Sequence, residues 1–461
     1  MRYGLCCWLS CKLTIDAGSL VFFMQAGFAM LEAGVVNSRN VINILYKNIM
    51  DASIGCVCFW LVGYGFAYGT TAGGFIGTDN FAISSIYNGA GEGGSDGWEG
   101  FFFQFAFAGT AATIVSGSVA ERFKFEAYLV YSGVCTAFIY PVIVHWVWGS
   151  GFLSAWGARP DADGNARPLL SGTSTSNGVI DFAGSGVVHL VGGVSGLMGA
   201  ILVGPRKGRF DSDGKPKAQR PHNTTLMALG TTILWFGWYG FNCGSTLALS
   251  GGAANVAGKV AVTTTISAAA GCLMATIISR FLEGTFDIGL ALNGILAALV
   301  GITANCSVVN PWMAFLIGII SAWIYYGASK LLLKLRIDDP LDAFPIHGAC
   351  GFWGLLATGI FCTDANVQYA AYPNVNDACG RGEQFAVQLI GGLVIVAWAS
   401  VMSGLTFLVM KFVVGLRVSS EIEEAGLDIS EHGIGAYANE LTKVFPSPVS
   451  DEVTKVQVSY E

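Results

Sequence analysis

Charge is what this sequence lacks most: Lys, Arg, Asp and Glu make up 12% of its 461 residues, against roughly 25% in an ordinary soluble domain. A water-facing surface needs those groups, so the deficit points to lipid as the main solvent. Positive charge is scarcer than negative. With a formal net charge of -7 the chain offers no basic face for nucleic acid. Histidine occurs only five times, and no group of His, Cys and carboxylate at ligand spacing accompanies it, so no metal or other cofactor is expected. The first twenty residues, interrupted by Lys12 and Asp16, lack a leader-cleavage pattern and read as a short outer tail running into the first span.

What is present is apolar and rich in small residues. The chain is 53% hydrophobic with 62 glycines and a mean hydropathy of +0.57, and small residues let membrane helices approach closely. Stretches of about 20 apolar residues are long enough to cross the bilayer. Eleven are found, over 16–36, 49–69, 99–121, 126–150, 179–203, 224–247, 257–280, 286–304, 310–333, 346–363 and 384–414. The fold class expected is an all-α polytopic membrane protein, with a membrane domain over 1–414 and an acidic cytoplasmic tail over 415–461. Most Lys and Arg, including Arg122, Lys124, Arg206, Lys207 and Arg209, fall in every second connection, which puts the N-terminus outside and the C-terminus inside. The outer connections 89–99 and 161–177 are glycine-rich and weakly acidic, favouring a cation. Cys56, Cys58, Cys135, Cys243, Cys272 and Cys350 lie in apolar runs and read as packing residues. Cys6, Cys7 and Cys11 precede the first span and are candidates for pairing with each other or across subunits.

One pattern occurs twice. Written D-x7-H-x3-G-x2-G-L, it uses Asp181, His189, Gly193, Gly196 and Leu197, then Asp339, His347, Gly351, Gly354 and Leu355. The copies fall on spans five and ten, so the second enters from the opposite side. That is the mark of an inverted repeat, spans one to five against six to ten, with a long eleventh helix outside it. Gly27-Phe28 in span one and Gly240-Phe241 in span six echo the same relation. Eight residues from Asp to His rise about 12 Å on a helix, which brings both imidazoles to mid-depth. Asp181 either caps span five or faces an entering cation; Asp339 and Asp342 mirror it inside. Ionisable groups in a membrane interior are costly and signal function. Paired neutral imidazoles suit a small, hydrogen-bonding, protonatable substrate; a structural hydrogen bond or a metal or haem site are the alternatives. His145, His222 and His432 read as near-interface or loop residues.

Aromatic residues bracket this region: Phe101 to Phe107 around Gln104, then Trp146 and Trp148, then Trp235, Trp238, Tyr239 and Phe241 with Asn242 and Ser245. Most belong to interfacial belts or helix packing, but a tryptophan face beside a hydroxyl also holds a desolvated monovalent cation. With these motifs on nearly all of spans one to eleven, the chain resembles the ammonium transporters, in particular the eukaryotic branch of plants and algae. The resemblance implies ammonium or ammonia, with methylammonium as an analogue, as substrate, and a homotrimer in the plasma membrane with one pore per subunit. It implies an outer recruitment site of Phe103, Gln104, Phe107, Trp148 and Ser245, supported by Asp181. Below that come a phenyl gate of Phe107 and Phe241, then a pore lined by His189, His347 and Trp238. Trp148 favours this branch over the related Rh proteins. The segment 415–437 resembles the family's regulatory tail, which docks on the neighbouring subunit, and Ser430 stands where plant-like members carry a phosphorylatable threonine, implying a kinase as partner.

The reading is a carrier, not an enzyme, that recruits ammonium, deprotonates it and passes ammonia with or without its proton. Its rivals are an electroneutral ammonia channel and an ammonium sensor signalling through the tail; an intramembrane enzyme lacks a nucleophile.

Overall fold

The structure is a computed structural model describing residues 2–87, 97–156, 178–372, 379 and 382–437, with residues 2–7 as backbone. The loops 89–99 and 161–177 therefore lie largely or wholly outside the described residues, as do the side chains of Cys6 and Cys7 and the tail beyond Tyr437.

Among the described residues nine helices are long and apolar enough to cross a membrane: Trp8–Val35, Ser38–Tyr68, Trp98–Ser118, Phe125–Val147, Ser185–Val203, Ala253–Glu283, Pro311–Lys334, Phe344–Phe361 and Glu383–Val413. Two more, Thr224–Gly244 and Ile288–Thr303, occupy the sixth and eighth places, so the eleven spans of an all-α polytopic protein are present. Span six carries Asn242 and several Thr, and span eight is only 16 residues long, which is why each falls short on its own. The one sheet among the described residues is a two-stranded hairpin, Thr71–Ala72 against Ile76–Gly77.

Glycines set the close crossings. Spans one and six meet along a seam where a Cβ on Gly237 would lie 2.2 Å from the Met24 side chain and one on Gly230 2.3 Å from the Leu31 nitrogen. Spans five and ten cross reciprocally. A Cβ on Gly193 would lie 2.1 Å from the Gly348 nitrogen, and one on Gly351 2.5 Å from the Ser185 carbonyl oxygen. These are the glycines four residues past each histidine, so the duplicated pattern is the place where its two copies touch.

Three expectations need correction. Span two begins at Ser38, not 49, so Lys47 is no connecting residue: it lies within a helix, fully buried. Spans five and ten begin at Ser185 and Phe344, so the aspartates precede the helices and the 12 Å helical rise between Asp and His does not apply. Instead 178–184 runs buried and non-helical, which a membrane protein tolerates only inside protein, and Gly184, at φ 105°, turns it into the helix. The first turns are wide: the His189 N–H reaches back five residues to the Gly184 carbonyl at 3.1 Å, as in a π-bulge. Third, the first residues form no tail apart from span one: a single helix runs from Arg2 to Val35. His145 is fully buried at the end of span four, its ring nitrogens meeting the Ala67 carbonyl at 2.9 Å and the Thr71 hydroxyl at 2.8 Å, which pins the hairpin.

Cysteine also brings a finding that spacing did not show. Cys362 and Cys379 form a disulfide joining the end of span ten to the approach to span eleven.

Candidate functional site

Three helix ends converge on one cavity. Span three opens with its aromatic run, span four ends at Val147 just before Trp148, and span six ends at Gly244 just before Ser245. The cavity, about 530 Å³, is lined by Phe103, Gln104, Phe107, Trp148 and Ser245, and also by Tyr68 and Phe182, which the sequence did not single out. Trp148 stands edge-on to Phe107 at 5.8 Å between centroids and 79°. The Ser245 hydroxyl donates to the Phe241 carbonyl at 2.8 Å, leaving its lone pairs to accept. Gln104 Oε1 is buried without a partner among the described residues. Ring faces beside oxygen acceptors are the chemistry that holds a small N–H cation.

Asp181 does not face this cavity as a bare charge. It is 2% exposed, and its carboxylate accepts from the N–H groups of Gly184 at 3.1 Å, Gly186 at 3.0 Å and Val187 at 2.8 Å. It is therefore a helix cap. Its connection to the cavity runs through its main chain, whose carbonyl accepts from Trp148 Nε1–H at 2.7 Å.

The cavity floor is closed by Phe107 and Phe241, stacked at 4.1 Å and 25°. Behind Phe241 the His189 ring lies at 5.4 Å, stacked also on Trp238 at 5.2 Å. The Trp238 indole is held by donating to Thr303 Oγ1 at 2.8 Å. His189 and His347 meet Nδ1 to Nδ1 at 3.1 Å, both buried. Two neutral rings so arranged need one hydrogen between them, so one ring donates through Nδ1 and the other carries its hydrogen on Nε2. The pair therefore presents one accepting and one donating Nε2, and His189 Nε2 has no partner among the described residues.

Comparison with known proteins now decides the family. The model of the Ammonium Transporter Family matches residues 14–437. The chain belongs to the ammonium transporter family. It is 43% identical to ammonium transporter 1 member 3 of Solanum lycopersicum, covering 91% of this chain and 90% of that protein. It is also 43% identical to ammonium transporter Amt2 of Archaeoglobus fulgidus, over 92% of this chain and 86% of that one. Among solved structures, a chain titled Sensor Amt Protein superposes with a TM-score of 0.82 at 34% identity, covering 94% of this chain and 100% of that chain. Mep2 of Candida albicans gives 0.76 at 25% identity, over 90% of this chain and 87% of that one.

The transporter's opposite end is built around acids. At the far end of span one, Leu31 and Val35 line a second cavity of about 290 Å³ with Asp342, Tyr325, Asn293 and His222. Asp342 accepts from the Tyr325 hydroxyl at 3.0 Å and from Ser329 at 2.8 Å. Asp339 accepts from the Phe344 N–H at 2.7 Å, capping span ten as Asp181 caps span five. Burial, together with the nearby Asp342 carboxyl, pushes it up to about 6.

Asp338, the acid that sequence reasoning passed over, is the hub of this end. It is 1% exposed and accepts from Arg206 Nε at 2.8 Å and Arg209 Nε at 3.2 Å, while its carbonyl accepts from Arg122 at 2.7 Å. Arg206 also pairs with Glu121. Burial works to raise the Asp338 carboxyl, but the Arg206 hydrogen bonds and charge win and hold it far below the usual carboxylate range.

The tail rests on its own chain's loops. Arg417 pairs with Glu423 and donates to the Val203 carbonyl at 3.1 Å. The short helix Leu427–His432 lies against the start of span two: Asp428 accepts from the Asn43 N–H at 2.9 Å and His432 Nε2 meets the Asn43 amide at 2.9 Å. Ser430 is exposed on this helix, its hydroxyl donating to the Gly426 carbonyl at 2.9 Å.

Proposed function

We propose that this ammonium transporter recruits ammonium in the outer aromatic cavity, removes its proton and passes ammonia along the histidine pair. The observation that carries the reading is the order of the groups: ring faces and the Ser245 and Gln104 oxygens, then the Phe107–Phe241 stack, then His189 and His347. A cation held between Trp148 and Phe107 gains from both ring quadrupoles and hydrogen-bonds to Ser245 and Gln104. Asp181 supports this cavity by fixing the Trp148 indole through its carbonyl. At 4.1 Å the phenyl rings leave no passage, so they swing apart for each substrate. Beyond them an ion meets a buried, largely apolar wall where charge is costly, whereas ammonia, donor and acceptor at once, matches the paired imidazoles. Trp238 forms the wall beside His189, and the cavity containing Asp342, with Asp339 behind it, receives the product and favours its reprotonation.

The same reading places the chain in the plasma membrane with its N-terminus outside, 1–414 as the transport unit and 415–461 as an acidic regulatory tail, in a homotrimer that also takes methylammonium. Phosphorylation of Ser430 by a cytoplasmic kinase adds charge beside Asp428 and Glu431 and loosens the helix from Asn43. A Ser430→Asp protein with undiminished transport sinks that idea.

The deciding experiment is membrane current in oocytes at fixed voltage as ammonium is stepped up, beside His189→Ala. A saturating inward current lost in the variant establishes that the proton accompanies ammonia through the histidine pore. Uptake without current makes the protein a neutral ammonia channel. Neither signal from protein at the surface favours a sensor, the reading suggested by the likeness to the chain titled Sensor Amt Protein.

A further inference from the structure

Away from the pore, spans one to four enclose three ionisable side chains that transport as described above does not use. Glu32 on span one is 2% exposed, and Lys47 and Asp51 on span two are fully buried. Asp51 accepts from the Tyr128 hydroxyl at 2.5 Å and from Thr113 at 3.0 Å, and its second oxygen has no partner among the described residues. Lys47 forms no ion pair with either acid among the described residues. Its ammonium donates to the Phe123 carbonyl at 3.3 Å and lies 5.4 Å from the Tyr128 ring centre.

Hydrogen bonds and charge bear together on the state of Glu32. Its Oε2 accepts from the Asn48 amide at 2.7 Å, and that amide's second hydrogen goes to the Ile44 carbonyl at 2.9 Å. Its Oε1 lies 2.6 Å from Ser116 Oγ, which in turn lies 2.7 Å from the Thr113 carbonyl oxygen. Ser116 has one hydroxyl hydrogen, and a carbonyl only accepts. Either oxygen can take that hydrogen, since the Thr113 carbonyl lies within helix Trp98–Ser118, and a Glu32 hydrogen is needed only where Thr113 takes it. Charge decides between the two. Two carboxylates with one lysine leave an excess negative charge buried in the protein, which such a site avoids by binding a proton. Two further charges of opposite sign act on Lys47, Glu431 from the tail and Arg122 from the connection between spans three and four, and Lys47 in turn acts on His432.

We propose that Glu32 carries a proton at neutral pH, and that Glu32, Asp51 and Lys47 form an intramembrane proton-binding site apart from the histidine pore. Its exchange runs through the Lys47 end, beneath the docked tail helix. Asn43 lies one turn before Lys47 and holds both Asp428 and His432, and the His432 ring sits 5.4 Å from Tyr46 and 5.1 Å from Phe125. The tail thus rests on the stretch of span two that leads to Lys47, and its Glu431 acts on that lysine.

The test is infrared spectroscopy of the full chain in lipid vesicles without ammonium, so that its outcome does not depend on the transport reading. A protonated-carboxyl stretch is expected near neutral pH, lost in Glu32→Gln and kept in Asp51→Asn. A spectrum unchanged by Glu32→Gln overturns the proposal. Should that variant fail to fold, Ser116→Ala keeps the acid but removes its 2.6 Å hydrogen-bond partner and must shift the same band to higher frequency; an unmoved band overturns it equally. In heavy water the band is expected to exchange severalfold faster in Asp428→Ala than in the wild type. Equal rates overturn the exit beneath the tail.

Discussion

Adding one methyl group at Gly193 tests whether the crossing of the two histidine segments sets the pore. A Cβ there would lie 2.1 Å from the Gly348 nitrogen, 2.5 Å from its Cα and 2.8 Å from the His347 carbonyl carbon. Carbon contacts relax only near about 3.5 Å, so spans five and ten must part by about 1 Å. All three neighbours are main-chain atoms, which no rotamer change can move aside. The cost belongs at the upper end of the overpacking range, about 3 kcal/mol. Parting also draws the imidazoles from 3.1 Å past the roughly 3.5 Å at which a hydrogen bond fails. A displacement of that size at a reacting group costs about 100-fold in rate. The assay is labelled methylammonium uptake normalised to surface protein in Gly193→Ala, with Gly327→Ala as control, because a Cβ at Gly327 meets nothing within 4 Å. Uptake by Gly193→Ala at the control's rate refutes the reasoning.

Thr303→Val removes the acceptor of the Trp238 indole; the expected loss is about 1 kcal/mol of stability with lower transport at unchanged surface expression, read by uptake beside a thermal melt. Asp338→Asn leaves the Arg206 and Arg209 guanidinium groups short of a buried partner and is expected to cost about 3 kcal/mol, measured as thermal stability in detergent. The pH dependence has a definite sign: the folded Asp338 pKa is depressed, so its stabilisation is complete above the ordinary aspartate value of about 3.9 and is lost as pH falls below it. The wild type therefore loses more stability on acidification than Asp338→Asn. Replacing Cys362 and Cys379 by Ser opens a loop with a sequence separation of 17 and is expected to lower stability by about 3 kcal/mol, with reducing agent reproducing the shift in the wild type and doing nothing in the double variant.

The duplicated histidine pattern was legible because inverted symmetry makes the chain repeat itself in spacing: the same residue types serve the same contacts twice, Asp181 and Asp339 as caps, Gly193 and Gly351 as crossings. The lengths of spans three, four and nine were legible for a different reason, since lipid demands a continuous apolar run. Where the chain is buried in protein and not lipid, that demand lapses. Residues 178–184 look as apolar as a helix yet are non-helical, because the Asp181 carboxylate and Gly184 supply the turn that a helix would not.

Lys47 shows the complementary failure. A charge is read as marking the end of a span, which holds for a side chain facing lipid. Spans one to four give this one a carbonyl, a tyrosine face and two acids, so span two runs straight through it. Glu32 and Asp51, each alone in an apolar stretch, were the signal that the interior there is polar, and the pairing of three such exceptions within twenty residues argues for a site more strongly than any one of them. The Asp338 clamp left no such trace. Its partners Glu121, Arg122, Arg206 and Arg209 stand at 129 to 217 residues' distance, in two connections whose basic residues each look like ordinary inner-face arginines. Only the folded chain shows that those connections are fastened to the residue next to Asp339, so the segment that positions His347 is held by the same ions that once served merely to orient the protein in its membrane.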